Sequence, residues 1–397
     1  MRADLNLSAL AARARSIPSS RPPRIAIVHY WLVGSGGGEN VVKAMLELYP
    51  EADVFTLVAD PVFADTMVPR ERLRTSALQR IPGVRRFYRM LLPLMPAALE
   101  NLDLRGYDLI ISSESGPAKG IVPPLGAVHI CYCHSPMRYL WDQYHDYSES
   151  AGWLQRMMLA LCITRLRLWD QASSQRVDYF IANSRYVASR IARYYRRGAT
   201  VIHPPVDVED FGISEERGDY YLITGRHVAY KRIDLAIAAC NALGRKLVIT
   251  GDGPETRRLK AMAGPTIRFV GRCDYRDLQR YYAEARAFLM PGEEDFGIAP
   301  VEAMASGRPV IAFASGGATE TVADGKTGLF FQEQSADSLA SALLDFEARE
   351  PHFDPLTIRA HAQGYAKARF QNELAAFVAT ALEDGPVGIL QEGRRDG

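Results

Sequence analysis

Two glutamates stand eight positions apart in the stretch EEDFGIAPVEAM, at residues 293–304. Glu294 precedes a Phe-Gly pair, whereas Glu302 follows Pro300, a residue that suits the first turn of a helix. Carboxylates so placed can be solvated surface charges, or they can accept hydrogen bonds from the hydroxyl groups of a sugar and a ribose. Because one lies in a predicted loop and the other at a predicted helix start, we expect them to serve different partners.

Two cations flank another predicted helix start, in the stretch GRHVAYKRID at residues 225–234. Arg226 and Lys231 would oppose the helix macrodipole, which favours anions at its N-terminus. A diphosphate bound between them would satisfy both charges, although two exposed surface cations would give the same pattern. These residues are therefore candidate ligands for a phosphorylated molecule.

A glycine-rich stretch, GSGGGEN at residues 34–40, follows the first predicted strand and leads into a helix. Such a turn lets backbone amides approach an anion. The spacing does not match G-x-G-x-x-G, because Glu39 occupies the last position, and the stretch contains no G-K-[ST]. These departures argue against a dinucleotide-dependent dehydrogenase and a P-loop ATPase.

A histidine, His134, ends a predicted strand and precedes Ser-Pro, so we expect it to project at the edge of a sheet. It can be a polar capping residue or part of a site. Together with Cys131 and Cys133 it could hold a metal, but zinc requires four ligands, usually in spaced pairs, and the sequence has no second pair. The sequence therefore disfavours a metal site.

All of these residues follow short β-branched or aromatic runs that alternate with helical patterns. Runs that are apolar on both faces and separated by helices indicate parallel sheets covered on two sides. Two such sets in series predict an α/β fold with two doubly wound, Rossmann-like domains facing across a cleft, with ligands bound beyond the carboxyl ends of the strands. The predicted strands lie at 24–31, 52–59, 107–114, 127–134 and 177–184, and at 220–225, 246–251, 267–271, 287–292, 309–313 and 328–331.

The overall composition is that of a globular protein. The chain has 397 residues, 48% of them hydrophobic, and a formal net charge of +1, so no global field attracts nucleic acid. Its five cysteines fit a reducing compartment better than a disulfide framework. We find no apolar run long enough for a signal peptide or a membrane span.

The second half resembles family 4 glycosyltransferases, which are retaining enzymes of the GT-B fold. The stretches that carry the resemblance are GRHVAYKRID, TGDGPE, RFVGRCDYRDLQRYYAEARAFLMPGEEDFGIAPVEAMASGRPVIA and GGATETV, of which the E-x7-E motif is the most specific. The first half, through HYWLVGSGGGENVV, LIISSESGPAKGI and HICYCHSPMRYLWDQYHDY, resembles the WbaZ-like bacterial mannosyltransferases, which build O-antigen and exopolysaccharide units from GDP-mannose. The similarity runs from about residue 24 to about residue 384.

The resemblance implies a role for each matching residue. Arg226 and Lys231 would clamp the donor diphosphate and stabilise the leaving nucleotide. Glu302 would bind the ribose, Glu294 the hexose, and His134 the hexose near its reacting end. One departure is His227, which stands where the family more often has a hydrophobic residue. The remaining implied binding positions are Gly37 and Gly38 for the phosphates or the acceptor, Val270 and Arg272 near the base, and the amides of Phe296, Gly297 and Ile298 beside Glu294.

The resemblance also implies the organisation of the chain. We predict a disordered arm at 1–23, an acceptor-side domain at 24–205 joined by a C-terminal helix at about 366–384, a nucleotide-sugar domain at 206–365 and a disordered tail at 385–397. The predicted activity is transfer of mannose from GDP-mannose to a lipid-linked (polyprenyl-diphosphate) oligosaccharide, without metal or cofactor. A UDP-sugar donor and a non-catalytic sugar-binding scaffold are the alternatives.

The segment 70–95 is predicted to contact an anionic membrane surface. Between residues 70 and 89 it contains seven arginines and a single acid, Glu71, with aromatic and aliphatic residues interleaved or following. Such a mixture suits the interface of an anionic bilayer. An exposed arm with a buried apolar end is the alternative. The predicted localisation is cytoplasmic, peripheral on the inner face of the cytoplasmic membrane.

Overall fold

The computed structural model describes residues 21–34, 36–142, 144 and 153–387. The chain divides into two units, the first comprising Met1–Asn183, Val187–Ile202 and Gln371–Gly397 and the second Ser184–Tyr186 and His203–Phe370. The terminal segments that we predicted to be disordered fall largely outside the described residues. No described helix is both long and apolar enough to cross a bilayer.

The first unit is built on a seven-stranded sheet in which every neighbouring pair of strands is parallel. Its strands are β1 (Ile25–His29), β2 (Asp53–Thr56), β3 (Leu73–Thr75), β4 (Leu109–Glu114), β5 (Val128–Cys133), β6 (Tyr179–Ala182) and β7 (Thr200–Val201). The spatial order is β3-β2-β1-β4-β5-β6-β7, so the order reverses between β1 and β4. Every residue of β4 and β5 is buried, as expected for central strands covered on both faces.

Helices connect these strands, because successive strands of a parallel sheet need a crossover connection. They are α1 (Gly37–Leu48), α2 (Pro61–Ala64), α3 (Met95–Glu100), α4 (Trp153–Ser174) and α5 (Arg185–Tyr195), the last of which begins in the second unit.

The second unit is built on a six-stranded parallel sheet, and all six of its strands were predicted. They are β8 (Tyr220–Ile223), β9 (Lys246–Thr250), β10 (Ile267–Gly271), β11 (Ala287–Met290), β12 (Val310–Phe313) and β13 (Gly328–Phe331). Their order is β10-β9-β8-β11-β12-β13, with the reversal between β8 and β11. The helices are α6 (Ile233–Leu243), α7 (Thr256–Met262), α8 (Tyr275–Glu284), α9 (Ile298–Ala305), α10 (Ala318–Thr321), α11 (Ala336–Arg349), α12 (Pro355–Ala362) and α13 (Lys367–Asp384).

These two sheets confirm the predicted α/β class, but two strands of the first sheet were not predicted. The strands β3 and β7 were missed because they have only three and two residues. The C-terminal helix predicted at about 366–384 corresponds to α13, and a 3-10 turn at Gln363–Tyr365 precedes it. There the Val206 amide donates to the Tyr365 carbonyl at 3.0 Å, a bond that an uninterrupted helix would not leave available.

The segment 70–95 is folded onto the first unit and is not an extended arm. It forms the 3-10 turns Arg70–Arg72, Ala77–Arg80, Val84–Arg86 and Tyr88–Leu94, and buries Leu78, Val84 and Tyr88. Three of its arginines form ion pairs with carboxylates of the same unit: Arg70 with Asp65, Arg72 with Glu51, and Arg85 with Asp60.

Candidate active site

The candidate donor-binding residues of the second unit lie at the point where its strand order reverses. Arg226 and Lys231 follow β8, and Glu294 follows β11, the neighbouring strand across the reversal. Adjacent loops diverge at such a point and leave a crevice beyond the carboxyl ends of the strands, which is where open parallel sheets bind ligands. The sheet topology therefore brings together residues that are about 65 positions apart in sequence.

Lys231 and Glu294 form a direct ion pair, with Nζ 2.6 Å from Oε1 and 15% and 23% of the two side chains exposed. Gly225 makes room for this lysine: its φ is +114°, and a Cβ there would lie 3.3 Å from Lys231 Nζ. Arg226 is exposed and forms no ion pair within the described residues. The arrangement leaves one uncompensated cation and one cation held by a carboxylate at the same strand end.

Glu302 lies in the second turn of α9, and its carboxylate accepts a hydrogen bond from a buried tyrosine. The Tyr282 hydroxyl donates to Glu302 Oε2 at 2.7 Å, and Thr224 Oγ1 lies 2.7 Å from the same hydroxyl. Burial raises the pKa of Glu302, while the bond from Tyr282 opposes that rise. Burial also raises the pKa of Tyr282, so its phenol stays a neutral donor. One carboxylate oxygen is therefore fixed by the protein, and the other can accept from a ligand.

The N-terminus of α9 lies beside this carboxylate. Gly297 precedes the first residue of the helix, Ile298, with φ +87°, and a Cβ at Gly297 would lie 2.9 Å from Met290 Cε. The side chain of Phe296 is buried against His203, with ring centroids 5.4 Å apart. The first amides of a helix have no intrahelical partner, so they favour an anion or a hydroxyl oxygen at this position.

A second glycine turn supports the same loop. A Cβ at Gly317 would lie 2.3 Å from Phe296 Cα, and the Gly317 amide donates to the Glu294 carbonyl at 2.8 Å. The neighbouring Glu293 accepts from the Tyr186 hydroxyl at 2.5 Å and from the Ser315 hydroxyl. Glu293 is thus engaged in holding the loop, which leaves Glu294 as the acid that faces Lys231.

Val270 in β10, Arg272 just after it and His227 after β8 lie at the same end of the sheet. Val270 is partly buried against the core, whereas Arg272 is exposed. His227 is fully buried, with Nδ1 2.8 Å from Thr256 Oγ1 and Nε2 3.2 Å from the Thr250 carbonyl, and burial lowers its pKa. This histidine is a structural link between the loops after β8 and β9, which explains how the departure from the family pattern is accommodated.

The first unit gathers its own polar residues at its reversal point. His134 follows β5 and its Nε2 lies 2.9 Å from the hydroxyl of Ser113 in β4. A Cβ at Gly38, at the start of α1, would lie 3.7 Å from the same nitrogen and 3.4 Å from Cε1 of His29 in β1. Burial and the neighbouring His29 lower the pKa of His134 to about 3, so its ring is neutral near pH 7. His134 therefore acts as a hydrogen-bonding group in this state, and Gly38 allows close approach to it.

The two cysteines that precede His134 in the chain are buried in the core. Cys131 and Cys133 are fully buried free thiols that pack with Val177 and Phe180 in the core of the first unit. The described residues contain no group of three or more His, Cys, Asp or Glu side chains that could hold a metal ion. These two thiols therefore pack in the core of the first unit.

Two parts of the site were not predicted. The sequence contains two adjacent tyrosines, Tyr281 and Tyr282, and only the helical phase of α8 decides which of them is buried. The pairing of Lys231 with Glu294 was likewise missed, because 63 residues separate them. The burial periodicity of α8 was the only signal available for Tyr282.

Comparison with known proteins identifies the family. A sequence model described as Glycosyltransferase Family 4 matches residues 35–210, and one described as Glycosyl transferases group 1 matches residues 208–367. The protein belongs to glycosyltransferase family 4. This family 4 chain is 31% identical, over 252 residues, to the GDP-mannose-dependent alpha-(1-6)-phosphatidylinositol monomannoside mannosyltransferase of Mycolicibacterium smegmatis. The match covers 55% of this chain and 62% of that protein, which is less than two thirds of its length.

Other relatives and solved structures agree with the fold. A glycogen synthase of Pseudomonas paraeruginosa is 34% identical over 146 residues, covering 34% of this chain and 28% of that protein. The crystal structure of HepE from Anabaena, solved in complex with UDP, has a TM-score of 0.68 and 16% identity, and covers 90% of this chain and 100% of HepE. Sucrose-phosphate synthase from Thermosynechococcus elongatus has a TM-score of 0.67 and 21% identity, covering 90% and 99%. The family 4 chain therefore has the GT-B fold of these enzymes.

Proposed function

We propose that this family 4 protein is a retaining α-mannosyltransferase that moves mannose from GDP-mannose to a lipid-linked oligosaccharide acceptor in bacterial surface polysaccharide or O-antigen synthesis. The observation that carries the proposal is the convergence of Arg226, the Lys231–Glu294 pair and the Tyr282-held Glu302 at one strand reversal. Cations for a diphosphate and carboxylates for hydroxyl groups are the groups that a nucleotide sugar requires.

The proposed roles follow from the chemistry of each group. Arg226 and Lys231 bind the donor diphosphate and stabilise the charge that develops on it as the glycosidic bond breaks. Glu302 accepts from ribose hydroxyls with the oxygen that Tyr282 does not occupy. Glu294 binds hydroxyls of the hexose. Its ion pair with Lys231 couples the binding of the sugar to the binding of the phosphate.

The choice of GDP-mannose is supported by the first-half resemblance and by a mannosyltransferase among the relatives. The alternative donor is a UDP-sugar. HepE, which shares the fold, was solved with UDP-glucose. The second alternative is a non-catalytic sugar-binding scaffold. The presence of Arg226, Lys231, Glu294 and Glu302 in one crevice argues against it.

The proposal also includes the metal requirement, the cellular location and a contact with lipid. The protein works without metal or cofactor, on the cytoplasmic side of the membrane, and the segment 70–95 contacts anionic lipid. Arg86 and Arg89 are exposed and form no ion pair within the described residues, so they are better candidates for this contact than Arg70, Arg72 and Arg85. His134, Gly37 and Gly38 keep the roles that the family resemblance implies.

A ligand panel tests the proposal. Thermal unfolding and calorimetry are measured with GDP, GDP-mannose, UDP-glucose and ADP-glucose, and slow release of GDP from GDP-mannose is followed without acceptor. We expect stabilisation by the two guanosine ligands and measurable donor hydrolysis. Equal stabilisation by UDP-glucose would refute the mannosyl donor, and binding without any hydrolysis or transfer would favour the scaffold.

A further inference from the structure

One face of helix α4 exposes large apolar side chains to solvent. Trp153 is 76% exposed, Met157 48%, Leu161 73% and Leu168 63%. With about 100° of rotation per residue, these four positions fall within an arc of about 80°. A surface helix of a globular protein normally places polar residues on its outer face. Between residues 153 and 168 this arc is therefore mainly apolar, with the exposed Thr164 among the four apolar side chains, and no described part of the protein covers it.

The inner face of the same helix explains how it is held. Ile163 and Leu166 are buried and pack with Met137 and Leu140 in a core cluster of the first unit. Asp170, farther along, accepts a bond from Trp141 Nε1 at 2.7 Å. The helix is thus anchored through one side, and its exposed apolar arc is turned away from that side.

The charges on α4 are of one sign over most of its length. Residues 153–169 contain no Asp or Glu. Arg156 and Arg165 are exposed, and in a helical projection they lie on opposite borders of the apolar arc. Arginine side chains at such borders can extend along an apolar surface and leave the guanidinium at the polar boundary. Apolar side chains between arginines form the pattern of a helix that lies in a membrane interface.

The 3-10 turn Tyr88–Leu94 contacts the buried side of this helix. Leu92 packs against the cluster that contains Ile163 and Leu166, which places the turn next to α4. Met90 and Leu94 of the turn are 57% and 53% exposed. Two separate elements of the first unit therefore present the same combination of exposed apolar and arginine side chains.

We propose that the exposed arc of α4 inserts into the interface of an anionic lipid bilayer. We call this surface the α4 face. A second copy of the chain is a poorer occupant, because symmetric pairing would bring arginines of like charge together. The inference rests on the membrane contact in the proposed function and deepens it: α4 supplies the apolar insertion, and Arg86 and Arg89 supply attraction to lipid phosphates.

Vesicle binding by the full chain tests the α4 face. Cosedimentation is measured with phosphatidylcholine vesicles and with vesicles that contain about a quarter phosphatidylglycerol. The double variant Leu161→Glu/Leu168→Glu alters the arc, and Leu125→Glu, at a residue 95% exposed outside the α4 face, is the matched control. We expect binding to the anionic vesicles, a loss of about tenfold or more in the double variant, and no change in the control.

Tryptophan fluorescence locates the contact. Trp153 is the most exposed of the four tryptophans, so vesicles should shift the emission to the blue and brominated lipid should quench it. Trp153→Phe should abolish both effects without abolishing sedimentation. Calorimetry with GDP is run on every variant, because unchanged GDP affinity shows that the nucleotide site of the second unit is intact and separates this test from that of the donor.

Three outcomes would overturn the inference. The first is equal vesicle binding by the wild type and the double variant, and the second is no vesicle binding by the wild type. The third is a dimer in solution that Leu161→Glu/Leu168→Glu converts to a monomer, which would assign the α4 face to a second copy of the chain. None of these outcomes bears on GDP binding, so the proposed transfer activity would stand or fall separately.

Discussion

Replacing Tyr282 by Phe removes one hydroxyl group and tests the assignment of Glu302 to the ribose. That hydroxyl donates to Glu302 at 2.7 Å and lies 2.7 Å from Thr224 Oγ1. A hydrogen bond to a charged group contributes about 1.5–3 kcal/mol. The bond is present without GDP, so only the part of it that orients the Glu302 carboxylate for the ribose enters the affinity. Because Glu302 is partly exposed, we take the lower end as an upper limit, and about 1.4 kcal/mol corresponds to a tenfold change in affinity. We expect GDP to bind more weakly to Tyr282→Phe, by up to about tenfold.

The same substitution should change the pH dependence of binding. Burial raises the pKa of Glu302, and the Tyr282 bond holds it down. Without that bond the pKa rises further, so the carboxylate that accepts from the ribose is lost at a higher pH. Titration calorimetry with GDP between about pH 5 and pH 8 should show the acid limb of binding displaced upward in the variant.

A matched control and a modified ligand make the test specific. Tyr281→Phe changes the neighbouring residue of α8, whose hydroxyl accepts only from Arg268 at 3.4 Å within the described residues, and should leave GDP binding unchanged. 2′,3′-Dideoxy-GDP lacks the hydroxyls that Glu302 would bind, so its affinity should be the same for the wild type and Tyr282→Phe. If the variant weakens GDP and dideoxy-GDP equally, or if the pH dependence does not move, the ribose assignment is wrong.

Three further predictions concern charge. Arg226→Ala and Lys231→Ala should each weaken GDP binding by about tenfold or more, whereas Glu294→Gln should keep GDP affinity and lower turnover; loss of GDP binding in Glu294→Gln alone would reverse these roles. Transfer should survive a chelator, and restoration of lost activity by manganese would contradict this. Burial raises the pKa of Glu114 to about 7, above its unfolded value, so its contribution to stability is present below about pH 4.3 and is lost as pH rises through about 7. Urea unfolding of the wild type relative to Glu114→Gln should show that fall, and parallel pH profiles would refute it.

The sequence by itself determined the fold class and the order of the site residues along the chain. The six strands of the second sheet were predicted because buried parallel strands are apolar on both faces and are separated by helices of recognisable period. Arg226, Lys231, Glu294 and Glu302 could be placed after strands or at a helix start for the same reason. Strands as short as Thr200–Val201 carry too few residues for a pattern, so they were missed.

Only the tertiary structure decided which of these groups meet. Lys231 contacts Glu294, Tyr282 holds Glu302, and Arg85 pairs with Asp60, although the partners are far apart in the chain. Such contacts depend on strand order and on the rotation of each helix, which local sequence does not encode. The apolar runs of α4 could likewise have been core on every side. The packing of Ile163 and Leu166 uses one face of the helix and leaves Leu161 and Leu168 in solvent, because a helix can bury only the arc that its neighbours cover.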